Sequence, residues 1–173
     1  MVIDMDVIVE FNKSFKEANK TKKRYRAMKG SAGSGKSVDV AQDYILKLSD
    51  PKYKGANLLV VRKSESTHKY STYAELTSAI NKIYGKNAKK YWKITANPLE
   101  MRSRVTGNSI IFRGVNDSKQ REKLKSINFP TGKLTWVWCE EATELAESDV
   151  DILDDRLRGI LNNPNLYYQI TFT

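Results

Sequence analysis

A layered α/β fold around a mainly parallel sheet is the class this sequence predicts, on three observations. Short apolar segments alternate along the chain with longer segments of helical periodicity. Two of the short segments, 57–62 (NLLVVR) and 134–139 (LTWVWC), are apolar almost throughout, as strands covered on both faces are. A glycine-rich loop joins the first strand to the first long helix. The 173 residues, 40% hydrophobic and 29% charged, suffice for one domain with a substantial core.

In chain order, residues 24–29 (RYRAMK) read as a strand that runs into the loop. Residues 36–48 read as a helix, with Val40, Ala41, Tyr44, Ile45 and Leu48 at helical spacing, closed by Asp50-Pro51. Strand 57–62 follows, then a helix over 64–84 with Gly85 as its cap. Segments 91–95, 100–105 and 109–113 read as short strands separated by the turn signals Asn97-Pro98 and Gly107-Asn108. They predict an antiparallel hairpin added at one sheet edge. Strand 134–139 comes next, then an acidic helix over 142–161 ended by Asn162-Asn163-Pro164, and a last strand over 166–173. Trp136 and Trp138, alternating on one strand, are expected to face opposite layers.

Composition excludes several classes. Four prolines and nine glycines exclude a collagenous or low-complexity chain. The single cysteine, Cys139, forbids an internal disulfide, fits a reducing compartment and reads as a packing residue. No apolar run approaches the ~20 residues of a membrane span, and the N-terminus lacks a signal-peptide pattern. The only histidine, His68, has no partners at catalytic or metal-binding spacing and is expected on the surface. The net charge of +10 is concentrated: residues 81–133 hold 13 basic and 3 acidic side chains. A polyanion such as nucleic acid is the natural partner of that segment, with Lys89, Lys90 and Lys93 as the leading contacts.

Gly30-Ser31-Ala32-Gly33-Ser34-Gly35-Lys36-Ser37 fits the Walker A pattern, and it lies between a predicted strand and a predicted helix, the context that gives the pattern meaning. Glycines let backbone N–H groups wrap phosphate oxygens, and the helix N-terminus adds partial positive charge. Lys36 can reach the β and γ phosphates, and Ser37 can place its hydroxyl on Mg²⁺. About a hundred residues on, strand 134–139 ends in Glu140-Glu141. Ligands of parallel sheets bind at the carboxyl ends of the strands, so both acids belong near Lys36. Glu140 suits a Mg²⁺-bound water and Glu141 suits a general base. Thr171 and Thr173 end the last strand facing the same place. Tyr25 and Phe11 are candidates to stack on adenine.

Together these segments resemble the N-terminal ATPase domain of tailed-phage terminase large subunits, in particular those of PBSX-like prophages. The resemblance covers residues 24–173 and is carried by YRAMKGSAGSGKS, LLVVRKSESTHKYSTYAEL, SIIFRGVNDSKQREKLKSI and TWVWCEEATELAESDVDILDDRLRG. It implies a three-layer P-loop NTPase of the additional-strand type, with residues 1–173 as one ATPase domain. It also implies an ATP- and Mg²⁺-dependent motor that translocates double-stranded DNA into a procapsid in the bacterial host cytoplasm. The implied partners are portal protein, a small terminase subunit and further copies in a ring, with a monomer or weak self-association in isolation and no membrane. Lys36 and Ser37 then match the Walker A pair, Glu140 the Walker B acid and Glu141 the catalytic glutamate. Thr171 and Thr173 match the coupling motif, and Arg62 the basic residue after the second strand.

Three departures accompany the resemblance. Ala32 stands where many terminases carry an arginine inside Walker A, and Leu124-Lys125-Ser126 stands where many carry one ahead of Walker B. Arg121, Lys125, Arg156 and Arg158 remain candidates for a trans-acting finger or its equivalent. The chain stops after the coupling motif, so no nuclease activity is expected from it. A non-catalytic nucleotide- or DNA-binding fragment, or another nucleic-acid-dependent P-loop ATPase, are the alternative readings. The expected sheet order puts strand 24–29 at an edge beside 166–173, then 134–139, then 57–62, with residues 1–23 available to cover that edge.

Overall fold

The computed structural model describes residues 9–173, and in it seven strands form one sheet. They are β1 (Tyr25–Ala27), β2 (Ala56–Arg62), β3 (Trp92–Ala96), β4 (Leu99–Ser103), β5 (Ser109–Gly114), β6 (Lys133–Cys139) and β7 (Gln169–Phe172). The order across the sheet is β1-β7-β6-β2-β5-β4-β3. The first five of these run parallel; β4 runs antiparallel to β5, and β3 antiparallel to β4. The first four positions follow the expected order. The addition beyond them is larger than a hairpin, because β5 itself joins the parallel set beside β2.

Helices cover both faces. On one side lie α1 (Lys16–Lys20), α2 (Lys36–Ser49), α3 (Thr72–Tyr84) and α4 (Ala88–Tyr91). On the other lie α5 (Ser118–Lys125) and α6 (Glu147–Arg156). Helix α2 buries Val40, Ala41, Tyr44, Ile45 and Leu48 completely, the stripe that its spacing predicts. Each of the larger ones contributes about 1.5–3 kcal/mol of transfer free energy. They pack with Leu58, Val60, Ile110, Phe112, Trp136 and Trp138. The second core gathers Leu59, Val61, Val137, Cys139 and Ile170 under Leu124, Leu153 and Leu157. Trp136 and Trp138 therefore share one face, contrary to expectation. Residues two apart on a strand point the same way. Cys139 lies in the second core, where burial pushes its thiol up to about 12.

Several boundaries moved for identifiable reasons. The expected helix over 64–84 is a 3-10 turn (Glu65–Tyr70), a break at Ser71, and then α3. His68 causes the break, and its expected surface position is wrong. The ring is fully buried, 2.9 Å from the Arg113 carbonyl and 2.7 Å from the Thr72 hydroxyl, and it packs edge-on against Phe112. Burial pushes its pKa down to about 4, so it works as a neutral clamp between the turn and β5. The acidic segment forms a short 3-10 turn (Ala142–Glu144) and a shorter helix, α6. Helix α5 carried no apolar periodicity, since only Leu124 is buried. Its start is fixed by the Asp117 carboxylate, which accepts from Gln120 N at 2.8 Å.

At the outer edge, β1 pairs with β7 and with no other described strand. In the described part of residues 1–23, Phe15 is buried against the α2 layer, and the Thr21 and Lys23 carbonyls accept from Gln169 Nε2 of β7 at 3.0 and 2.8 Å. Residues 1–8 of that segment lie outside the described residues.

Asp149 pins the second helical layer. Its fully buried carboxylate accepts from Arg121 Nε at 2.6 Å and from Ala146 N at 3.0 Å, and lies 3.5 Å from Lys63 Nζ. One carboxylate thus ties α5, the start of α6 and the end of β2. Burial alone would raise its pKa, but the Arg121 and Ala146 hydrogen bonds and the two cations hold it below the usual range. Its stabilisation is present above the unfolded value of about 3.9 and is lost as pH falls through the depressed one. Asp149→Asn should cost roughly 3 kcal/mol in denaturant unfolding at pH 7, the scale of breaking a buried pair. The gap to the unmodified chain should narrow as pH falls below the unfolded value of about 3.9.

Candidate active site

The four parallel strands β1, β7, β6 and β2 end on one rim, where a cavity of about 570 Å³ opens. Gly30, Ala32, Gly33, Ser34, Gly35, Lys36 and Ser37 form one wall. Glu140, Glu141, Thr143, Thr173 and Glu75 form the rest, with Met28, Lys29 and Val38 at the margin. Gly35 caps α2 with φ 81°, a left-handed conformation that lets the loop turn directly into the helix. A Cβ built at Gly33 or Gly35 meets no atom within 4 Å, so the loop's inner surface is bare backbone. Lys36 Nζ spans the loop, donating to the Gly30 carbonyl at 2.8 Å, the Ser31 carbonyl at 3.2 Å and Ser34 Oγ at 3.3 Å. Ser31 itself does not line the cavity; its carbonyl is the part that takes part.

Glu140 is 7% exposed, and its Oε2 lies 3.4 Å from Arg62 Nε. Burial pushes its carboxyl up, against the pull of the Arg62 charge and of the Ser71 and Ser37 hydroxyls. No described donor makes a hydrogen bond to Oε2. That leaves an acceptor beside Ser37 suited to a metal-bound water. Among the described residues no three carboxylate, His or Cys side chains converge into a closed metal site. A divalent ion here would complete its shell with phosphate oxygens and water, as Mg²⁺ does. Glu141 is exposed and adopts φ 53°, the left-handed region in which a residue with a side chain carries about 1 kcal/mol of strain. The chain is held in that turn by Ala142 N, which donates to the Thr173 carbonyl at 3.0 Å.

The two threonines separate. Thr173 lines the cavity, and its Oγ1 accepts from Trp138 Nε1 at 3.0 Å. Thr171 sits one row deeper and does not face the cavity, contrary to expectation. Its buried hydroxyl accepts from Arg26 Nε at 2.9 Å and lies 2.7 Å from the Tyr44 hydroxyl. Tyr25 is also placed elsewhere, its hydroxyl donating to Asp154, and neither it nor Phe11 lines the cavity. Sequence reasoning missed Glu75, which α3 brings to the cavity. Nothing in its local sequence marks it, because its position depends on how α3 packs.

None of the four finger candidates lines this cavity within the same chain. Arg121 is engaged by Asp149, Lys125 lies 3.0 Å from Glu122, and Arg156 donates to the Ile127 carbonyl at 3.1 Å. Arg158 is exposed, and its guanidinium makes no hydrogen bond or ion pair with a described residue. Lys89, Lys90 and Lys93 are exposed on α4 and β3, at the sheet edge far from β1.

The sequence profile of the phage terminase large subunit matches residues 22–173. The chain belongs to the phage terminase large-subunit family. It is 30% identical over 128 residues to the terminase large subunit of Bacillus phage SPP1, an alignment covering 73% of this chain and 28% of that protein. The fold matches the crystal structure of the HK97 bacteriophage large terminase with a TM-score of 0.69 at 10% identity, covering 95% of this chain and 33% of that one. It also matches the large terminase of the thermophilic bacteriophage D6E in complex with ATP-gamma-S, with a TM-score of 0.60 at 11% identity, over 94% and 38% of the two chains. The chain thus spans between a quarter and two fifths of the length of these terminases.

The Arg62–Glu140 pair makes a pH-dependent prediction. A buried carboxyl with a raised pKa is easiest to hold when protonated, and it destabilises as pH rises through that value. Arg62→Gln removes the opposing cation. Its melting temperature should lie near that of the unmodified chain at pH 4.5 and fall progressively below it towards pH 8 in thermal scans.

Proposed function

We propose that residues 1–173 form the ATPase motor unit of a DNA-packaging terminase, hydrolysing ATP to drive double-stranded DNA into a procapsid. One observation carries this reading: Lys36, Ser37, Glu140, Glu141 and Thr173, read separately from the sequence, line one cavity at the carboxyl rim of the parallel sheet. Family membership and the ATP-gamma-S complex of a structural relative support it.

In this reading the backbone of Gly30–Ser37 and the N-terminus of α2 cradle the phosphates of ATP. Lys36 exchanges its loop carbonyls for β and γ phosphate oxygens. Ser37 and Glu140 would hold Mg²⁺, which would supply charge neutralisation at the transferring phosphoryl group. Glu141 orients the attacking water and takes its proton; its exposure at the cavity mouth gives that water access. Arg62 fixes Glu140 by charge and the Ser71 hydroxyl by a 2.9 Å hydrogen bond, so the metal-side acid is held while the base stays mobile. Thr173 reports the state of the site to β7, and Thr171 passes it to α2 and β1 through Tyr44 and Arg26. Arg158 is the freest of the four finger candidates for a neighbouring copy's nucleotide. DNA contacts belong to the basic antiparallel half, including Lys89, Lys90 and Lys93. The assembled motor is a ring of these chains with portal protein and small terminase subunit in the host cytoplasm. No described helix is long and apolar enough to cross a membrane.

Lys36→Ala should abolish ATP binding or hydrolysis in a nucleotide-binding and phosphate-release assay, while the thermal melt stays unchanged. Normal turnover in that variant would end the phosphate-loop reading. Glu141→Gln should keep ATP bound and lower the hydrolysis rate about 10²–10⁴-fold, the usual scale for losing a general base. Glu140→Gln should instead weaken Mg²⁺-dependent nucleotide affinity. Equal losses of affinity in the two glutamate variants would refute this division of roles.

A further inference from the structure

The outer face of the antiparallel strands carries charges that the fold does not neutralise. On β3, β4 and β5, the residues Trp92, Ile94, Leu99, Met101, Ile110 and Phe112 enter the α2-side core. Alternation then turns Lys93, Arg102, Ile111 and Arg113 to the opposite face. Helices α5 and α6 build the second core over β2, β6 and β7, and beyond β2 that face opens. A cavity of about 630 Å³ lies there, with Ile111 and Arg113 on its floor and Lys123 and Phe129 in its wall; Glu65 and Glu100 also line it.

Lys93 and Arg102 are direct cross-strand partners. Like charges opposed across an antiparallel pair destabilise the sheet. Glu100 shares this face, diagonal to Lys93, and the Arg102 and Arg113 guanidinium groups donate to the Gly107 and Phe112 carbonyls at 3.3 and 2.8 Å, but among the described residues no ion pair involves Lys93, Arg102, Arg113 or Lys123. The parallel half differs sharply. There Arg24, Arg26, Arg62, Lys63 and Arg121 each lie against a carboxylate. Five cations around β1, β2 and α5 are thus paired with acids, while Lys93 and Arg102 stand opposed across β3 and β4.

We propose that this open sheet face binds the sugar-phosphate backbone of duplex DNA, with Lys93 and Arg102 as the central pair and Arg113 and Lys123 beside them. The proposal rests on the DNA-translocating reading above and deepens it by naming the contact surface. A phosphate between Lys93 and Arg102 turns their repulsion into two attractions. Binding releases condensed counterions and is steeply salt-dependent. Lys and Arg contacts to phosphate carry no sequence information, so the binding is indifferent to sequence. Lys89 and Lys90, on α4, belong to the other, α2-side layer and lie outside this face.

The test is fluorescence anisotropy of a labelled 30-base-pair duplex between 50 and 200 mM salt, with the full chain, Lys93→Glu and Arg102→Gln. Lys93→Glu removes one cation and pairs the other with the introduced carboxylate. The slope of log affinity against log salt should fall by about 2, at ~0.9 per phosphate contact. Arg102→Gln should lower it by about 1. The melting temperature of Lys93→Glu should hold or rise, because an opposed like-charge pair becomes an ion pair; a merely structural role would lower it. Unchanged slopes in both variants overturn the surface and leave DNA binding elsewhere on the chain. Failure of the unmodified chain to bind duplex overturns the surface and the DNA reading together. A changed oligomeric state in Lys93→Glu with an unchanged slope assigns the face to a second copy of the chain and overturns the proposal.

Discussion

The position of β6 between β2 and β7 is the constraint on which the site depends, because parallel pairing continues to the last residues of these strands. Glu140 N donates to the Val61 carbonyl at 3.0 Å, Thr173 N to the Cys139 carbonyl at 3.0 Å, and Met28 N to the Phe172 carbonyl at 2.9 Å. Four chain segments that leave the sheet are thus laced together at one rim. The phosphate loop, the two glutamates and Thr173 hang from that rim. A slip of one residue in β6 would turn Trp136 and Trp138 out of their core and carry Glu140 away from Arg62. The hydrophobic faces therefore set the register, and the register sets the chemistry.

Beneath the phosphate loop the interior is polar. The Arg26 guanidinium, with 1% of its side chain exposed, lies 2.6 Å from Asp43, which also accepts from Lys47 at 2.8 Å. Asn19 donates to Asp39 at 2.7 Å, and Thr171 closes the group by bonding both Arg26 and Tyr44. Burying such charges is costly, and truncating one partner costs several kcal/mol. The arrangement joins α2, β1 and β7 in a directional way that apolar packing would not. A shift of the phosphate helix must move Thr171 or break this group. Above it, Glu141 sits in a strained and exposed turn. A rigid foundation under an exposed Glu141 suits the cycle proposed above, in which the site must bind, hydrolyse and release.

Charge divides the molecule in a similar way. Around β1, β2 and α5 the cations are paired with acids, down to a buried Asp149 shared by Lys63 and Arg121. The antiparallel half keeps its cations exposed. The division follows from where helices cover the sheet: covered charges need partners, and open ones can wait for a polyanion.

Much was legible in the sequence because it rests on local rules. The phosphate loop, the apolar strands 57–62 and 134–139 and the stripe of α2 follow from periodicity and glycine placement, whereas the order of four parallel strands came with the resemblance to additional-strand P-loop folds, and only the tertiary structure adds β5 to them. Glu140 and Glu141 were found because a strand end names its own location. The tertiary structure decided the rest, wherever a residue's role depends on a distant partner. His68 is buried because β5 offers the Arg113 carbonyl. Helix α5 exists without an apolar stripe because Asp117 caps it and Asp149 holds Arg121. Glu75 reaches the cavity only through the packing of α3, and Thr171 turns from it only because Arg26 and Tyr44 lie below. Local propensity fixes which segments form. Pairing across some thirty to a hundred and fifty residues fixes what their side chains meet, and no spacing along the chain encodes that.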